Sequence, residues 1–184
     1  MLMKTVTSAL ALCSVCIFLA AGCATAHSTV EKRDDLGEKV QAAIARAKEE
    51  DPGLKEFFDE AAGYAVFPTV GKGAIVVGGA YGKGELFEDG KLVGYCDLTQ
   101  ASIGLALGGQ AYTEFIFFET KDDLDNFKYT DFTFAAQASA VALKSGASAN
   151  AKYADGIVVF TMSQAGLMGE ASIGGQRFRY RQKE

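Results

Sequence analysis

Ala62-Gly63-Tyr64-Ala65-Val66-Phe67-Pro68, followed by Val70-Gly71-Lys72-Gly73, is where this chain changes character. On its N-terminal side the sequence is charged and has helical spacing. Ser28-Thr29-Val30-Glu31 has the spacing of a capping box, and Leu36, Val40, Ala43, Ile44 and Ala47 recur at helical intervals. Asp51-Pro52-Gly53 breaks that helix and predicts a second one, with Asp51 as N-cap and Pro52 at the first helical position. Leu54, Phe57, Phe58, Ala61 and Ala62 give the second helix an apolar side, and Gly63 is a natural stop.

Beyond Gly63 the period is that of strands. The candidates are Tyr64–Phe67, Ala74–Tyr81, Glu85–Phe87, Leu92–Cys96, Ser102–Gly109 and Tyr112–Glu119, with Asp89-Gly90 as a hairpin turn. Thr120-Lys121-Asp122-Asp123 caps a short helix running through Phe127. Further strands are expected at Phe132–Leu143, Ala147–Tyr153, Ile157–Ser163 and Leu167–Arg181, with Gln164-Ala165-Gly166 as a turn. Many of the 21 glycines fall inside strands, including Gly78-Gly79, Gly104, Gly108-Gly109 and Gly174-Gly175, where glycine marks a bend, a bulge or a close backbone approach. The small residues Ala135, Ala136, Ala138, Ser139 and Ala140 permit tight packing of another layer, although an alanine run equally suits a helix. The expected fold is α+β, with N-terminal helices packed on a curved, barrel-like antiparallel sheet that hides its edges.

The chain begins as an export signal. Lys4 precedes an apolar run from Val6 to Ala21, about the length of a signal core and short for a spanning helix. Two processing sites compete. Leu19-Ala20-Ala21-Gly22-Cys23 resembles a lipobox in which Cys23 would be lipidated, although Ala20 stands where Leu is usual. Ala24-Thr25-Ala26 would instead release a soluble protein starting at His27. The expected organisation is a signal peptide over residues 1–22 (or cleavage after 26), a tether over 23–35 and one domain over 36–184. The expected location is the bacterial cell envelope, on the periplasmic side, as an outer-membrane-anchored lipoprotein or a soluble periplasmic protein. Cys13 and Cys16 leave with the signal, so Cys96 stands alone and no disulfide is expected in the mature protein.

The chain carries a formal charge of −5, and removing the first 26 residues removes only Lys4, giving 17 − 23 = −6. A surface of that sign argues against nucleic acid. With His27 as the single histidine, a nucleophile–histidine pair or a zinc site is implausible, and the reading is of a non-enzyme without cofactor or metal. Gly79-Ala80-Tyr81-Gly82-Lys83-Gly84 contains Gly-Lys, but Gly84 occupies the place of the metal-binding Ser or Thr, so a structural glycine hairpin is preferred to a phosphate loop. Near the C-terminus Arg177, Arg179, Arg181 and Lys183 alternate with Phe178 and Tyr180, and period two places the bases on one face and the rings on the other. That face is either simply solvated or a basic stripe facing lipid headgroups.

The glycine-rich blocks resemble the SYLF domain family. The resemblance lies in Ala62 to Gly73, Gly78-Gly79-Ala80-Tyr81-Gly82-Lys83-Gly84, Ser102-Ile103-Gly104 through Leu107-Gly108-Gly109-Gln110, Ser163-Gln164-Ala165-Gly166-Leu167-Met168-Gly169, and Ile173-Gly174-Gly175, about residues 36–181. It implies a non-catalytic module that binds anionic, phosphoinositide-like phospholipid, with N-terminal helices on a β-rich body. Fungal relatives bind actin, which has no evident place in a bacterial envelope. The acidic segment Val30 to Ala62 departs from the membrane-binding helix of eukaryotic members. With the resemblance, the local bases nominate Lys72, Lys83, Arg177, Arg179, Arg181 and Lys183 as headgroup contacts, and Cys23 as the lipidation site. The alternative is a structural or protein-interaction lipoprotein with an envelope protein partner and no specific lipid.

Overall fold

The structure, a computed structural model, describes residues 31–74, 77–103, 108–129, 133–134, 140–165 and 175–184. The signal segment, Cys23 and the Ser28 capping box lie outside them. The chain divides into two units, residues 1–37 and 38–184. In the first, residues 31–37 are helical. The second begins with α1, residues 38–50, and α2, Leu54–Glu60.

Among the described residues an eight-stranded sheet follows, built from β1 (Gly63–Ala74), β2 (Val77–Glu88), β3 (Lys91–Ile103), β4 (Gly108–Phe118), β5 (Thr133–Phe134), β6 (Ala140–Ala142), β7 (Ile157–Ala165) and β8 (Gln176–Gln182). The order across the sheet is β5-β8-β3-β2-β1-β4-β7-β6. All pairings are antiparallel except β6 with β7. The α3 helix, Lys121–Tyr129, connects β4 to β5. This is the expected α+β class.

The central strands β4 and β7 and the first half of β1 bury both faces, which explains the rows of Phe and Val. The inward face carries Ala65, Phe67, Val70, Leu86, Cys96, Leu98, Tyr112, Ile116, Phe118, Val159 and Phe178, with Leu124 and Phe127 of α3 packed into the same cluster. The opposite face carries Val66, Phe115, Phe117 and Phe160, and α2 covers it. There Phe57 and Phe58 meet Phe117 at centroid distances of 5.7 and 4.9 Å, and Phe57 meets Phe160 edge-on at 5.2 Å. Aromatic pairs of this geometry add about 0.5–1.5 kcal/mol each beyond area burial.

The sheet is strongly curled. Gln176 on β8 donates to Glu114 on β4 at 3.0 Å, although β3, β2 and β1 lie between them in the ladder. In a flat sheet four strand spacings would separate them by about 19 Å. The chain likewise passes from Phe134 on one edge to Ala140 on the other in six residue steps. Those steps reach at most about 21 Å, where flat eight-stranded edges would stand about 34 Å apart. Among the described residues no ladder joins β5 to β6. The barrel-like expectation therefore holds as curvature, not as closure.

A bulge on β1 sets the facing of everything after it. Phe67 and Val70 both point into the core although they are three residues apart, because the register slips between Val66 and Thr69 at Pro68. Proline has no N–H to give the ladder, so a bulge accommodates it. Its carbonyl accepts from Thr113 Oγ1 at 2.9 Å and from Gln164 Nε2, which also donates to Thr113 Oγ1 at 2.9 Å.

Several local expectations are corrected. Ala74–Tyr81 is not one strand: β1 ends at Ala74, and β2 runs from Val77 to Glu88, absorbing Glu85–Phe87. Gly82-Lys83-Gly84 is therefore mid-strand and not a hairpin. A Cβ at Gly84 would lie 2.5 Å from the Val66 carbonyl and 2.7 Å from the Phe67 ring, so only glycine allows the layers to approach there. Ser102–Gly109 likewise divides between the end of β3 and the start of β4, with 104–107 outside the described residues. Ala147–Tyr153 is a 3-10 turn, Ser148–Asn150, and irregular chain. It is held by Asp51, which accepts from Ser148 N at 2.7 Å and Gly53 N at 3.2 Å. Asp51 thus ties two loops together, and α2 starts after Gly53 without a side-chain cap. Gln164 and Ala165 belong to β7, while Gly166 and most of the Leu167–Arg181 candidate's first half lie outside the described residues. The Asp89-Gly90 turn has both residues at positive φ, 49° and 72°, as its hairpin role requires. Thr120 caps α3 reciprocally with Asp123.

Candidate functional site

The basic stripe has the geometry that its period demands. On β8, Arg177, Arg179 and Arg181 are exposed, whereas Phe178 is 1 % exposed and packs between Phe67 and Phe127 at 5.7 and 5.5 Å. Cross-strand register then extends the stripe sideways. Lys83 stands opposite Asp97, and Asp97 opposite Arg179, so all three share the outward face of β2, β3 and β8. Arg177 follows in the next outward row with Thr99 and Tyr81, a ring 51 % exposed. Asp97 is the acid within this group; it pairs with Arg181 at 2.8 Å and accepts from the Tyr81 hydroxyl at 3.4 Å. Glu85 shares the face but is buried, and desolvation raises its carboxyl pKa against the opposing pull of Lys183. Lys183 follows β8, with its backbone N–H donating to Val93 O at 2.9 Å. Lys83 and Arg179 are two strands apart, about 10 Å, and Arg177 and Arg181 about 13 Å apart along the strand.

Lys72 does not belong to that surface. It stands in one ladder row with Gln110, Ala80, Gln100 and Gln176, and Ala80 belongs to the inward cluster. The β1 bulge turns it to the interior face, and it is half-buried there. The Lys83 group and Lys72 are therefore on opposite sides of the sheet.

On the helix side, a groove of about 630 Å³ is lined by Glu56, Phe57, Glu60, Glu119, Lys152 and Tyr153 among others. Burial first, then Glu119 and Glu60, push the Tyr153 hydroxyl up to about 12. Three carboxylates against one lysine repel an anionic headgroup.

A buried polar cluster went unread in the sequence. Glu114, Thr161 and Gln176 are each at most 3 % exposed, and Tyr112 is 6 % exposed. Glu114 and Thr161 are direct cross-strand partners on β4 and β7. Gln176 Nε2 donates to Glu114 Oε2 at 3.0 Å, and the Tyr112 hydroxyl also bonds to the carboxyl. Among the described residues, Glu114 Oε1, Thr161 Oγ1 and Gln176 Oε1 have no hydrogen-bond partner. A buried polar atom left in that state costs about 1–3 kcal/mol. Burial raises the Glu114 pKa to about 7, against the opposing effect of the bonds from Gln176 and Tyr112. The available signal was a carboxylate placed among Phe and Ile in Tyr112–Glu119.

Cys96 is buried at 1 % exposure, and burial pushes its thiol pKa well up, so it is an inert core residue. Among the described residues no group of three His, Cys, Asp or Glu is placed to hold a metal, and no helix is long and apolar enough to cross a membrane.

A glycine-threaded, curled sheet with α2 on its outer face, α3 against the inward cluster and a basic outward face on β8 defines a class of small α+β domain. Residues 99–184 match the family described as Ysc84, Las17-binding protein actin regulator, which is what the C-terminal part of this chain is similar to. Beta cell expansion factor A of Aeromonas veronii is 29% identical over 150 residues, which is 80% of this chain and 57% of that protein. The chain thus spans little more than half the length of that relative.

Proposed function

We propose that this chain is a non-catalytic phospholipid-binding module of the bacterial cell envelope, held at a bilayer by Cys23 lipidation. Its surface for anionic headgroups is the outward face of β2, β3 and β8. The observation that carries this reading is the cross-strand gathering of Lys83, Arg177, Arg179 and Arg181 around Asp97, with Lys183 beside them, on a chain of net charge −5. Each base near an anionic surface contributes about 1 kcal/mol, and an acyl anchor supplies the rest of the affinity. Tyr81 offers the same face an exposed ring suited to the headgroup boundary. The five surface bases take the headgroup role. Lys72, facing inward, takes no part in it. Nucleic acid and actin are outside the proposed partners.

Vesicle flotation of the chain without its lipid tests the reading. Co-flotation with phosphatidylglycerol, cardiolipin or phosphoinositide vesicles at low salt, and not with neutral vesicles, is the expected result. Indifference to lipid charge, together with one specific envelope protein captured by cross-linking, would favour a protein-interaction role instead.

A further inference from the structure

We propose that Glu114, Gln176 and Thr161 form an interior site for a small monovalent cation, taken either as a free ion or as the primary ammonium of a larger ligand. Three oxygens without a hydrogen-bond partner among the described residues, one from each of β4, β8 and β7, belong to side chains that the fold brings together. Glu114 and Thr161 face each other in register, and Gln176 is bound to the same carboxyl across the interior at 3.0 Å. Carboxylate and amide oxygens accept only, and a threonine hydroxyl can turn its lone pairs inward, so the set suits a donor-only or cationic guest.

The charge count selects a single positive charge. Glu114 is the one ionisable carboxylate of the cluster, and besides burial only Gln176 and Tyr112 act on it. The backbone of Lys72 stands on the row of Gln110, four residues or about 13 Å along the ladder from that of Glu114, and Lys72 is not among the groups that shift the carboxyl. A divalent ion draws on six or more oxygens and usually several carboxylates. Among the described residues no such acidic group exists. Phe67 is the register partner of Glu114 on its other side, and the low polarity there strengthens attraction to a bare cation. A quaternary ammonium has no N–H to give to these acceptors.

The test compares thermal unfolding of the full chain at pH 8 and fixed ionic strength in chlorides of sodium, potassium, ammonium, ethanolammonium and tetramethylammonium. The midpoint should rise in at least one of the first four relative to tetramethylammonium, by about 3–5 °C for each tenfold of cation above its Kd. A response to sodium or potassium points to a free ion, and one to ammonium and ethanolammonium alone points to a headgroup amine. Glu114→Gln and Thr161→Val should each abolish the difference. Equal midpoints in all five salts would overturn the site, as would either folded variant responding like the wild type. None of these readings depends on vesicle binding.

Discussion

Replacing Glu114 by Gln removes a carboxyl that burial holds at about 7, against an ordinary value of 4.5. Below pH 4.5 the group is protonated in both folded and unfolded chains and contributes no pH dependence. Between 4.5 and 7 the unfolded chain releases its proton while the native chain keeps it, so native stability falls as pH rises. Above 7 the full penalty applies. The gap of 7 − 4.5 pKa units corresponds to about 3 kcal/mol at 1.36 kcal/mol per unit. Glutamine has the same shape and no charge. The unfolding free energy of Glu114→Gln minus that of the wild type should therefore increase by about 3 kcal/mol between pH 4 and pH 8. Urea unfolding followed by far-ultraviolet circular dichroism reads this difference, in tetramethylammonium chloride so that no small cation offsets the charge. Titration of all other groups cancels in the comparison. A difference that stays flat, or that shrinks with rising pH, would refute the account of a buried, desolvated carboxyl.

Other consequences follow from single contacts. Phe178→Ala opens a void between Phe67 and Phe127 and should cost about 3–5 kcal/mol in chemical unfolding. Gly84→Ala drives a methyl against the Val66 carbonyl and the Phe67 ring and should destabilise by about 1–3 kcal/mol, whereas Gly90→Ala costs only the strain of a positive φ. Asp51→Ala leaves the buried Ser148 amide without its acceptor and should cost about 1–3 kcal/mol, with faster amide exchange at Ser148. Cys96 should resist thiol reagents in the native state and react at once in denaturant, since its sulfur is buried.

Local signals are legible in the sequence where a residue's role depends on its neighbours along the chain. The positive-φ turn at Asp89-Gly90, the Thr120–Asp123 cap and the alternation on β8 are all of this kind. Long-range pairing was not legible. Glu114 and Gln176 are 62 residues apart, and only the curl of the sheet brings them together. Lys72 shows how one residue overrides a period: without the bulge at Pro68 it would share a face with Lys83, and the slip sends it inside. Ala147–Tyr153 lost its strand to tertiary anchoring, because the Ser148 amide is claimed by Asp51 instead of a ladder. The lateral spread of the basic face, from Arg179 through Asp97 to Lys83, likewise needed the strand order.

The central claim is that the outward face of β2, β3 and β8 contacts anionic headgroups. It is tested most directly by the vesicle affinity of Lys83→Gln/Arg177→Gln/Arg179→Gln, which leaves the Arg181–Asp97 pair intact. At about 1 kcal/mol per base, removing three should weaken binding to phosphatidylglycerol vesicles about 150-fold at low salt. An unchanged affinity in a folded variant would contradict the assignment.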